Sequence, residues 1–367
     1  MTMKIAIDCR LIGRSGIGTY IENVVETATR RPDIQFTLLG DPSVLAPYAA
    51  RPNCRVVPCR LKSFTLGELL RFPVGEVNGC DAFFSPNFNL PLRLRVPVFC
   101  TIHDVVFFDV KGLTSPVGRL VRWLYIKRAT RLASTVFTVS EFSRQRIRQL
   151  FRPACPVVVT YCGVSLSLVA YRQQHGILEG PRNGQIVFVG NLKKHKGIET
   201  LLQAFRLLRE RHHVEAHLLV IGNIDFRSKD SRALELLRRE QGGVTLLQHA
   251  SNQEVFDALR HASVLVSPSL YEGMGLPPLE AMYLGTPAIV SDIPVYREVY
   301  ASSTAQFFRP GDADHLASLL AQQLTSAPDS RADVEQAVNE RYNFSTISDK
   351  ILTTIVQFLN KNFEFRI

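Results

Sequence analysis

The clearest candidate site in the sequence is a glycine-rich turn with a glutamate on each side of it. Glu272 precedes the turn, and Glu280 follows eight residues later in a predicted helix. Carboxylates accept strong hydrogen bonds, which suits the hydroxyl groups of a sugar or a ribose. The glycines let backbone amides approach a ligand closely, and the N-terminus of the helix favours a diphosphate. The turn consists of Gly273, Met274, Gly275 and Leu276.

A lysine-rich segment follows another apolar strand. Residues 190–197 contain Lys193, Lys194 and Lys196, and Asn191 stands near their start. Cations at the end of a strand can neutralise the charge of a leaving diphosphate. A solvated loop is an equally good interpretation for Lys193 and Lys194.

A second glycine-rich loop follows the first predicted strand. Its spacing, Gly-x-x-Gly-x-Gly over residues 13–18, differs from the dinucleotide fingerprint and so argues against an NAD enzyme. Gly16 and Gly18 open a predicted helix, where glycines and free amides can hold phosphate oxygens. Alone, the loop could equally be a tight turn.

A histidine and an aspartate follow the strand predicted at 98–102. His103 and Asp104 would lie at the carboxyl end of a parallel strand, the edge at which such sheets bind ligands. A lone histidine is more often a structural residue. Because the two residues stand together at this edge, we interpret them as part of a binding site.

The turn and its glutamates resemble the Glu-x7-Glu motif of the retaining GT-B glycosyltransferases, the glycogen-synthase-like and mannosyltransferase-rich group. Residues 285–287 (Gly-Thr-Pro) and 291–292 (Ser-Asp) look like the same family. Either glutamate alone would be an ordinary loop or helix residue, but the whole segment is specific. The resemblance implies that Glu272 contacts the donor sugar and that Glu280 contacts the nucleotide ribose.

The same resemblance implies roles for the other segments. His103 would lie against the donor sugar near the reacting carbon with Asp104 beside it, and Lys196 would bind the diphosphate. Many members carry arginine where this chain has Asn191. Lys193 or Lys194 then compensates, or phosphate is bound differently here. The implied reaction transfers a hexose with retention of configuration and requires no metal or other cofactor.

The details of the resemblance favour particular substrates. The chain looks most like bacterial mannosyltransferases of polysaccharide or lipopolysaccharide assembly, which implies GDP-mannose, with UDP-hexoses close behind. The implied acceptor is a glycan or a polyprenyl-diphosphate-linked sugar. Three alternatives stay open: a UDP-sugar 2-epimerase on the same fold, a non-catalytic nucleotide-sugar-binding subunit, and, more distantly, a dehydrogenase.

Two blocks of alternating strands and helices must position these residues. Apolar runs without alternation are typical of parallel strands that are covered on both faces. Each block therefore predicts a doubly wound α/β domain, and the resemblance implies two facing Rossmann-like domains with a cleft between them. The predicted strands are 4–8, 36–39, 81–84, 98–102, 135–139 and 157–160, then 185–189, 217–221, 244–247, 263–266 and 288–290.

We expect an acceptor-side domain over residues 1–168 and a donor domain over 181–344. The polar stretch 165–184 contains three glycines and a proline, which predicts a linker. A helix over about 345–367 carries apolar residues at four-residue spacing and is expected to cross back onto the first domain. Those residues are Ile347, Ile351, Ile355 and Leu359.

The positive charge lies entirely in the first half of the chain. Residues 1–180 carry 23 Lys and Arg against 12 Asp and Glu, whereas residues 181–367 carry 20 against 21. Because no nucleic-acid motif is present, we expect an anionic acceptor or an anionic membrane surface as partner, and no nucleic acid. The segment 119–131 holds five cations and the only tryptophan. We expect its apolar side to pack on the domain's own sheet and its cations to meet a membrane surface or a lipid-diphosphate acceptor.

The remaining polar clusters are interpreted as structural. Asp312 and Asp314 match a metal-binding Asp-x-Asp pattern, but Asp312 stands where a helix N-cap is expected. His212, His213 and His217 lack acidic or cysteine partners at metal-like spacing. The seven cysteines, odd in number and without a Cys-x-x-Cys motif, predict reduced and mostly buried thiols. With no signal-peptide pattern, we expect a cytoplasmic protein, peripheral on the inner face of the membrane.

Overall fold

The computed structural model describes residues 2–13, 16–63, 65–178, 182–223, 235–237, 242–325 and 334–364. The chain forms two compact units. Met1–Ser165 and Arg341–Ile367 belong to the first unit, and Leu166–Glu340 forms the second. Each unit is built on one parallel sheet, and helices connect most of the successive strands.

The first sheet has seven parallel strands in the order β3-β2-β1-β4-β5-β6-β7. Its central strands are buried on both faces, as their uninterrupted apolar sequences predict. The strands are β1 Met3–Asp8, β2 Ile34–Gly40, β3 Cys54–Pro58, β4 Ala82–Ser85, β5 Val98–Thr101, β6 Thr135–Thr138 and β7 Val157–Val159. The helices are Gly16–Ala28, Pro42–Ala49, Leu66–Arg71, Val74–Asn78, Val106–Asp109, Pro116–Leu132, Glu141–Phe151 and Phe344–Glu364.

The second sheet has six parallel strands in the order β10-β9-β8-β11-β12-β13. The strands are β8 Gln185–Val189, β9 His217–Ile221, β10 Val244–Leu247, β11 Val264–Ser267, β12 Ala288–Ser291 and β13 Gln306–Phe308. The helices are Leu166–His175, Ile198–Arg211, Asn252–His261, Leu276–Tyr283, Pro294–Tyr300, Ala313–Thr325 and Glu335–Glu340, with a 3₁₀ turn at Lys194–Lys196. The prediction of two doubly wound α/β domains is confirmed.

The helix Phe344–Glu364 packs within the first unit. Its four predicted core residues, at 347, 351, 355 and 359, are all buried. It lies along the helix Gly16–Ala28, where the Ser348 hydroxyl donates to the Val24 carbonyl at 3.4 Å and Phe344 contacts Tyr20 edge-on. The four-residue spacing therefore identified the buried face correctly.

The linker prediction was wrong over residues 166–175. These residues form the helix Leu166–His175, which belongs to the second unit. Two of its side chains anchor the helix: Leu168 and Tyr171 are buried, and the Tyr171 hydroxyl donates to Asp257. The chain leaves the first unit directly after Ser165. Part of the predicted linker, residues 179–181, lies outside the described residues.

The expectation for the segment 119–131 was wrong for its first half. In the helix Pro116–Leu132, Ile126 and Ala129 are buried against the unit, but Leu120 and Leu124 are exposed. Elsewhere, all seven cysteines are free thiols, four of them buried. Within the described part of the chain, no helix has both the length and the apolar composition needed to cross a bilayer.

Candidate active site

The glycine-rich turn joins β11 to the helix Leu276–Tyr283. Gly275 has φ +76°, a conformation that glycine adopts without strain. A Cβ at Gly275 would lie 2.3 Å from Cε1 of Tyr296, so the turn passes directly against that ring. The Tyr300 hydroxyl donates to the Gly275 carbonyl. Two prolines, at 277 and 278, then fit the first helical turn, where no intrahelical N–H bond is lost.

Glu272 is held at the start of this turn by three donors. Its Oε1 accepts from Lys196 Nζ at 2.7 Å, from Ser269 Oγ at 2.7 Å and from the Tyr296 hydroxyl at 3.4 Å. The Lys196 and Glu272 side chains are 18% and 11% exposed, so the pair is largely shielded but reachable. The structure thus brings together a cation and a carboxylate that stand 76 residues apart in the chain.

Lys196 reaches Glu272 because the loop after β8 packs on the loop after β11. Gly197, at φ +69°, lies so close that a Cβ there would be 1.9 Å from the Pro268 carbonyl oxygen. The Leu270 amide donates to the His195 carbonyl at 2.7 Å. These two backbone contacts fix Lys196, the last residue of the 3₁₀ turn Lys194–Lys196, beside Glu272.

The other predicted residues of the β8 loop differ in exposure. Asn191 and Lys194 are exposed, and Lys193 is half-buried. Of the three lysines, Lys196 is the one that pairs with Glu272. The candidate diphosphate-binding cation is therefore Lys196, with Lys193 and Lys194 on the same loop.

Glu280 lies in a different environment from Glu272. It stands half-buried in the helix Leu276–Tyr283, and burial raises the pKa of its carboxyl to about 7. Among the described residues, no side chain or backbone amide donates to this carboxylate. A partly desolvated carboxylate without a donor favours a ligand that supplies hydroxyl groups.

His103 is held by contacts within the first unit. It follows β5, its Nε2 lies 3.0 Å from the Pro86 carbonyl oxygen, and its ring meets that of Tyr20 edge-on with centroids 4.8 Å apart. Burial lowers the pKa of His103 to about 4, so the imidazole is neutral near pH 7. Donation from Nε2 to a carbonyl leaves Nδ1 as the acceptor. This histidine can bind a hydroxyl group but carries no cationic charge.

Two other predicted features of the first unit have clear local roles. The Asp104 carboxylate accepts from the Val106 amide at 3.1 Å, at the start of the short helix Val106–Asp109. Gly18 is buried, and a Cβ there would lie 2.4 Å from the Leu11 carbonyl oxygen, whereas Gly16 faces open space. Arg14 and Ser15 of the same loop lie outside the described residues.

The predicted site residues fall into two sets. Gly16, Gly18, His103 and Asp104 belong to the first unit, and the Lys196 and Glu272 loops with Glu280 belong to the second. Sequence reasoning missed Tyr296, which is fully buried beneath the turn, and its partner Ser267, whose hydroxyl lies 2.5 Å from the tyrosine oxygen. Tyr296 and Tyr300 are four residues apart. This spacing is equally typical of a helix that packs in a core, so it did not indicate a functional site.

Three residues of the metal-like patterns have local contacts. Asp312 accepts from the His315 amide at 2.9 Å at the start of Ala313–Thr325, which confirms the helix-capping prediction, and Asp314 pairs with Arg211 at 2.5 Å. His217 contacts the Thr245 hydroxyl at 3.0 Å. Across the described ranges, no group of three or more histidine, cysteine or acidic side chains is arranged to hold a metal ion.

Comparison with known proteins identifies two family domains. Residues 15–168 match the profile described as Glycosyltransferase Family 4, and residues 170–341 match that described as Glycosyl transferases group 1. The match boundary falls between 168 and 170, close to the boundary between the two units.

Curated relatives include several mannosyltransferases. O-antigen chain mannosyltransferase B of Escherichia coli is 29% identical over 253 residues, which is 66% of this chain and 65% of that protein. O-antigen chain mannosyltransferase RfbU of Salmonella typhimurium is 25% identical over 253 residues, 68% of this chain and 67% of that protein. The chain thus spans somewhat less than two thirds of the first of these relatives.

Solved structures share the fold over nearly the whole chain. Sucrose-phosphate synthase from Thermosynechococcus elongatus superposes with a TM-score of 0.71 at 19% identity, over 98% of this chain and 100% of that one. HepE from Anabaena, in complex with UDP and glucose, superposes with a TM-score of 0.70 at 18% identity, over 97% and 100%. The expected GT-B fold is confirmed.

Proposed function

Since the chain belongs to the GT-B glycosyltransferases, we propose that it transfers a hexose from a nucleotide diphosphate-sugar, with GDP-mannose as the donor. The proposed acceptor is a glycan or a polyprenyl-diphosphate-linked sugar in the assembly of a bacterial surface polysaccharide. The mannosyltransferase relatives support the choice of mannose. The proposed place of action is the inner face of the cytoplasmic membrane.

The contact between Lys196 and Glu272 carries the proposal. It places one cation and one carboxylate 2.7 Å apart. They lie on two glycine-containing loops that follow the neighbouring strands β8 and β11. In the proposed complex, Lys196 turns to the diphosphate, and Glu272 accepts hydrogen bonds from the sugar. Glu280, half-buried and without a donor among the described residues, binds the ribose. The ion pair of the free protein keeps both groups satisfied until the donor replaces it.

The proposed transfer retains the configuration of the anomeric carbon. The bond from that carbon to the diphosphate oxygen breaks as an acceptor hydroxyl attacks from the same face, and its proton passes to the departing oxygen. Lys196 stabilises the charge that develops on the diphosphate. The neutral His103 binds a sugar hydroxyl and orients the reacting carbon. No metal is required, so transfer should proceed unchanged in the presence of EDTA.

Thermal unfolding with a panel of nucleotides tests the donor. A ligand that binds only the folded protein at a hundred times its Kd stabilises it by ~2.7 kcal/mol. We expect GDP and GDP-mannose to raise the Tm more than UDP, ADP or dTDP, and Glu280→Ala to reduce the shift. Glu210→Ala is the matched control, because Glu210 is an exposed glutamate on another helix of the same unit. The absence of a response to any nucleotide would refute the proposal.

A UDP-sugar donor is the second candidate, because HepE, a protein of the same fold, is described in complex with UDP and glucose. A larger Tm shift with UDP than with GDP would replace GDP-mannose by a UDP-hexose. Two further outcomes separate the remaining alternatives. Conversion of UDP-N-acetylglucosamine without an acceptor would indicate an epimerase. Donor binding without transfer or donor hydrolysis, tested with lipid-linked acceptors, would indicate a binding subunit.

A further inference from the structure

One side of the helix Pro116–Leu132 is apolar and exposed. Val117, Leu120 and Leu124 are 72%, 58% and 53% exposed, and they recur at the three- and four-residue spacing of one helical face. The opposite side supplies the contacts with the unit, through the buried residues Ile126 and Ala129. The exposed face therefore adds nothing to the core of the unit, and its contact with water is unfavourable.

A second exposed apolar face lies close to the first. Leu66 and Leu70, on the helix Leu66–Arg71, are 75% and 63% exposed. The chain at residues 90–92 links the two helices. The Leu92 amide donates to the Leu69 carbonyl at 3.1 Å, and Arg128 donates to the Leu90 and Pro91 carbonyls. We call Leu66, Leu70, Val117, Leu120, Trp123 and Leu124 the two-helix surface.

The charges around the two-helix surface are positive. The sequence contains six Lys and Arg but no acidic residue between Asp109 and Glu141. The acidic residue of the other helix, Glu68, is fully buried and is paired with Arg10 at 2.6 Å. Lys111, Arg119 and Arg131 are exposed, and Asp109, the acidic residue nearest to Lys111 in the sequence, is paired with Arg146.

From this geometry we infer that the two-helix surface docks on an anionic phospholipid bilayer. Leucine and valine side chains enter the acyl boundary, Trp123 lies at the level of the headgroups, and the cations bind lipid phosphates. Exposed apolar side chains in a segment that carries six Lys and Arg and no acidic residue fit an anionic lipid surface. The inference deepens the proposed place of action by assigning the surface that would bind the membrane. It does not depend on the proposed reaction, because it concerns no residue of the candidate active site.

The single tryptophan of the chain gives a direct test. Trp123 is 37% exposed. Because the chain has no other tryptophan, any change in tryptophan emission comes from the surroundings of this residue. We expect a blue shift of its emission, and co-flotation of the protein, with vesicles of phosphatidylglycerol and phosphatidylethanolamine. Phosphatidylcholine vesicles should cause neither, and added salt should weaken the binding. Equal binding to both kinds of vesicle, or to neither, would overturn the inference.

Matched variants locate the binding surface. The double variant Leu120→Ser with Leu124→Ser should bind anionic vesicles ~10-fold or more weakly, because two inserted side chains are lost. Leu66→Ser with Leu70→Ser should weaken binding in the same direction. Val44→Ser, at a 41% exposed valine elsewhere in the first unit, should bind like the wild type. Equal loss in all three variants, or in none, would contradict the assignment.

Nucleotide binding by the same variants distinguishes a failure of the bilayer inference from a failure of the proposed function. All three sets of variants should keep the Tm shift that a nucleotide causes, since none of the substituted residues belongs to the candidate active site. If the wild type fails to bind vesicles and Trp123 emission instead changes with protein concentration, the surface is an interface between copies of the chain. That result would overturn the bilayer inference and leave the proposed reaction untouched.

Discussion

Lys196 has two partners at different stages of the proposed cycle. In the free protein it neutralises Glu272, with Ser269 and Tyr296 holding the same carboxylate oxygen. A donor diphosphate is the stronger attraction, because it carries more charge and accepts several hydrogen bonds. The strength of the pair therefore opposes donor binding but also keeps both side chains in place before the donor arrives.

Single substitutions of Lys196 and Lys193, which lie on the same loop, distinguish the roles of the two lysines. We expect Lys196→Ala to lower kcat by ~10²–10³, because the charge of the leaving diphosphate loses its stabilising cation. Lys193→Ala, on the same loop but outside the ion pair, should lose much less. Steady-state transfer assays with both variants check this. A larger loss in Lys193→Ala would show that Lys193 fills the place of the arginine missing at Asn191.

Glu280 should make the free protein less stable as the pH rises. The pKa of its carboxyl is raised from 4.5 to about 7 in the folded protein, so the folded state binds the proton more tightly than the unfolded state. The free energy of unfolding should fall between pH 4.5 and 7 and stay low above pH 7. Glu280→Gln should therefore stabilise the free protein by roughly 1–2 kcal/mol at pH 8 and by little at pH 4.5.

Denaturant unfolding at the two pH values measures this difference, with Glu210→Gln as the control at an exposed glutamate. The same Glu280→Gln variant should lose most of the nucleotide-induced Tm shift, because an amide accepts weaker hydrogen bonds from a ribose. A variant that is no more stable than the wild type at pH 8 would contradict the burial of this carboxyl.

At the scale of elements, the turn after β11 requires glycine at position 275, because the helix Pro294–Tyr300 leaves no room there for a side chain. Gly275→Ala should lower the free energy of unfolding by ~2 kcal/mol or more, because a positive φ is strained for alanine and the Cβ would meet Tyr296 at 2.3 Å. Gly75→Ala, where nothing lies within 4 Å of the added Cβ, is the control and should change little. Circular dichroism during urea unfolding measures both.

The elements that sequence reasoning missed are those without an uninterrupted apolar sequence. β3 and β13 each lie at one edge of their sheet, and their short sequences contain polar residues. β7 and β10, at the opposite edges, were predicted because their sequences are more apolar. The helix Leu166–His175 was interpreted as a linker because its stability comes from two buried side chains and not from a full apolar face. Central strands need uninterrupted apolar sequence, and for that reason they were predictable.

The sequence identified those residues of the candidate site whose type and position indicate a chemical role. Glu272, Glu280 and Lys196 are charged residues next to glycines at the ends of strands, so the sequence identifies them. Tyr296 is different, because a buried tyrosine in a helix has the same sequence pattern as core packing. Its contact with Glu272 depends on the position of β12 beside β11, which follows from the topology of the sheet.

At the scale of the whole molecule, the first unit is completed by a distant part of the chain. Ile355→Ala should destabilise this unit by ~2–5 kcal/mol, because the side chain is fully buried in the helix Phe344–Glu364. Thr353→Ala, at an exposed position of the same helix, should cost little. Thermal unfolding monitored by Trp123 fluorescence reports this unit selectively, since the only tryptophan lies there.

The chain leaves and re-enters the first unit at adjacent points, where Val164 pairs with Asn343 and its amide donates to the Tyr342 carbonyl at 3.0 Å. During synthesis, the first 165 residues therefore emerge from the ribosome without the helix that covers Tyr20 and Val24. The second unit, continuous from Leu166 to Glu340, can fold while the first still waits for its remaining residues. Nascent chains stalled before residue 344 should thus expose apolar surface and depend on chaperones, although all of the second unit has been made.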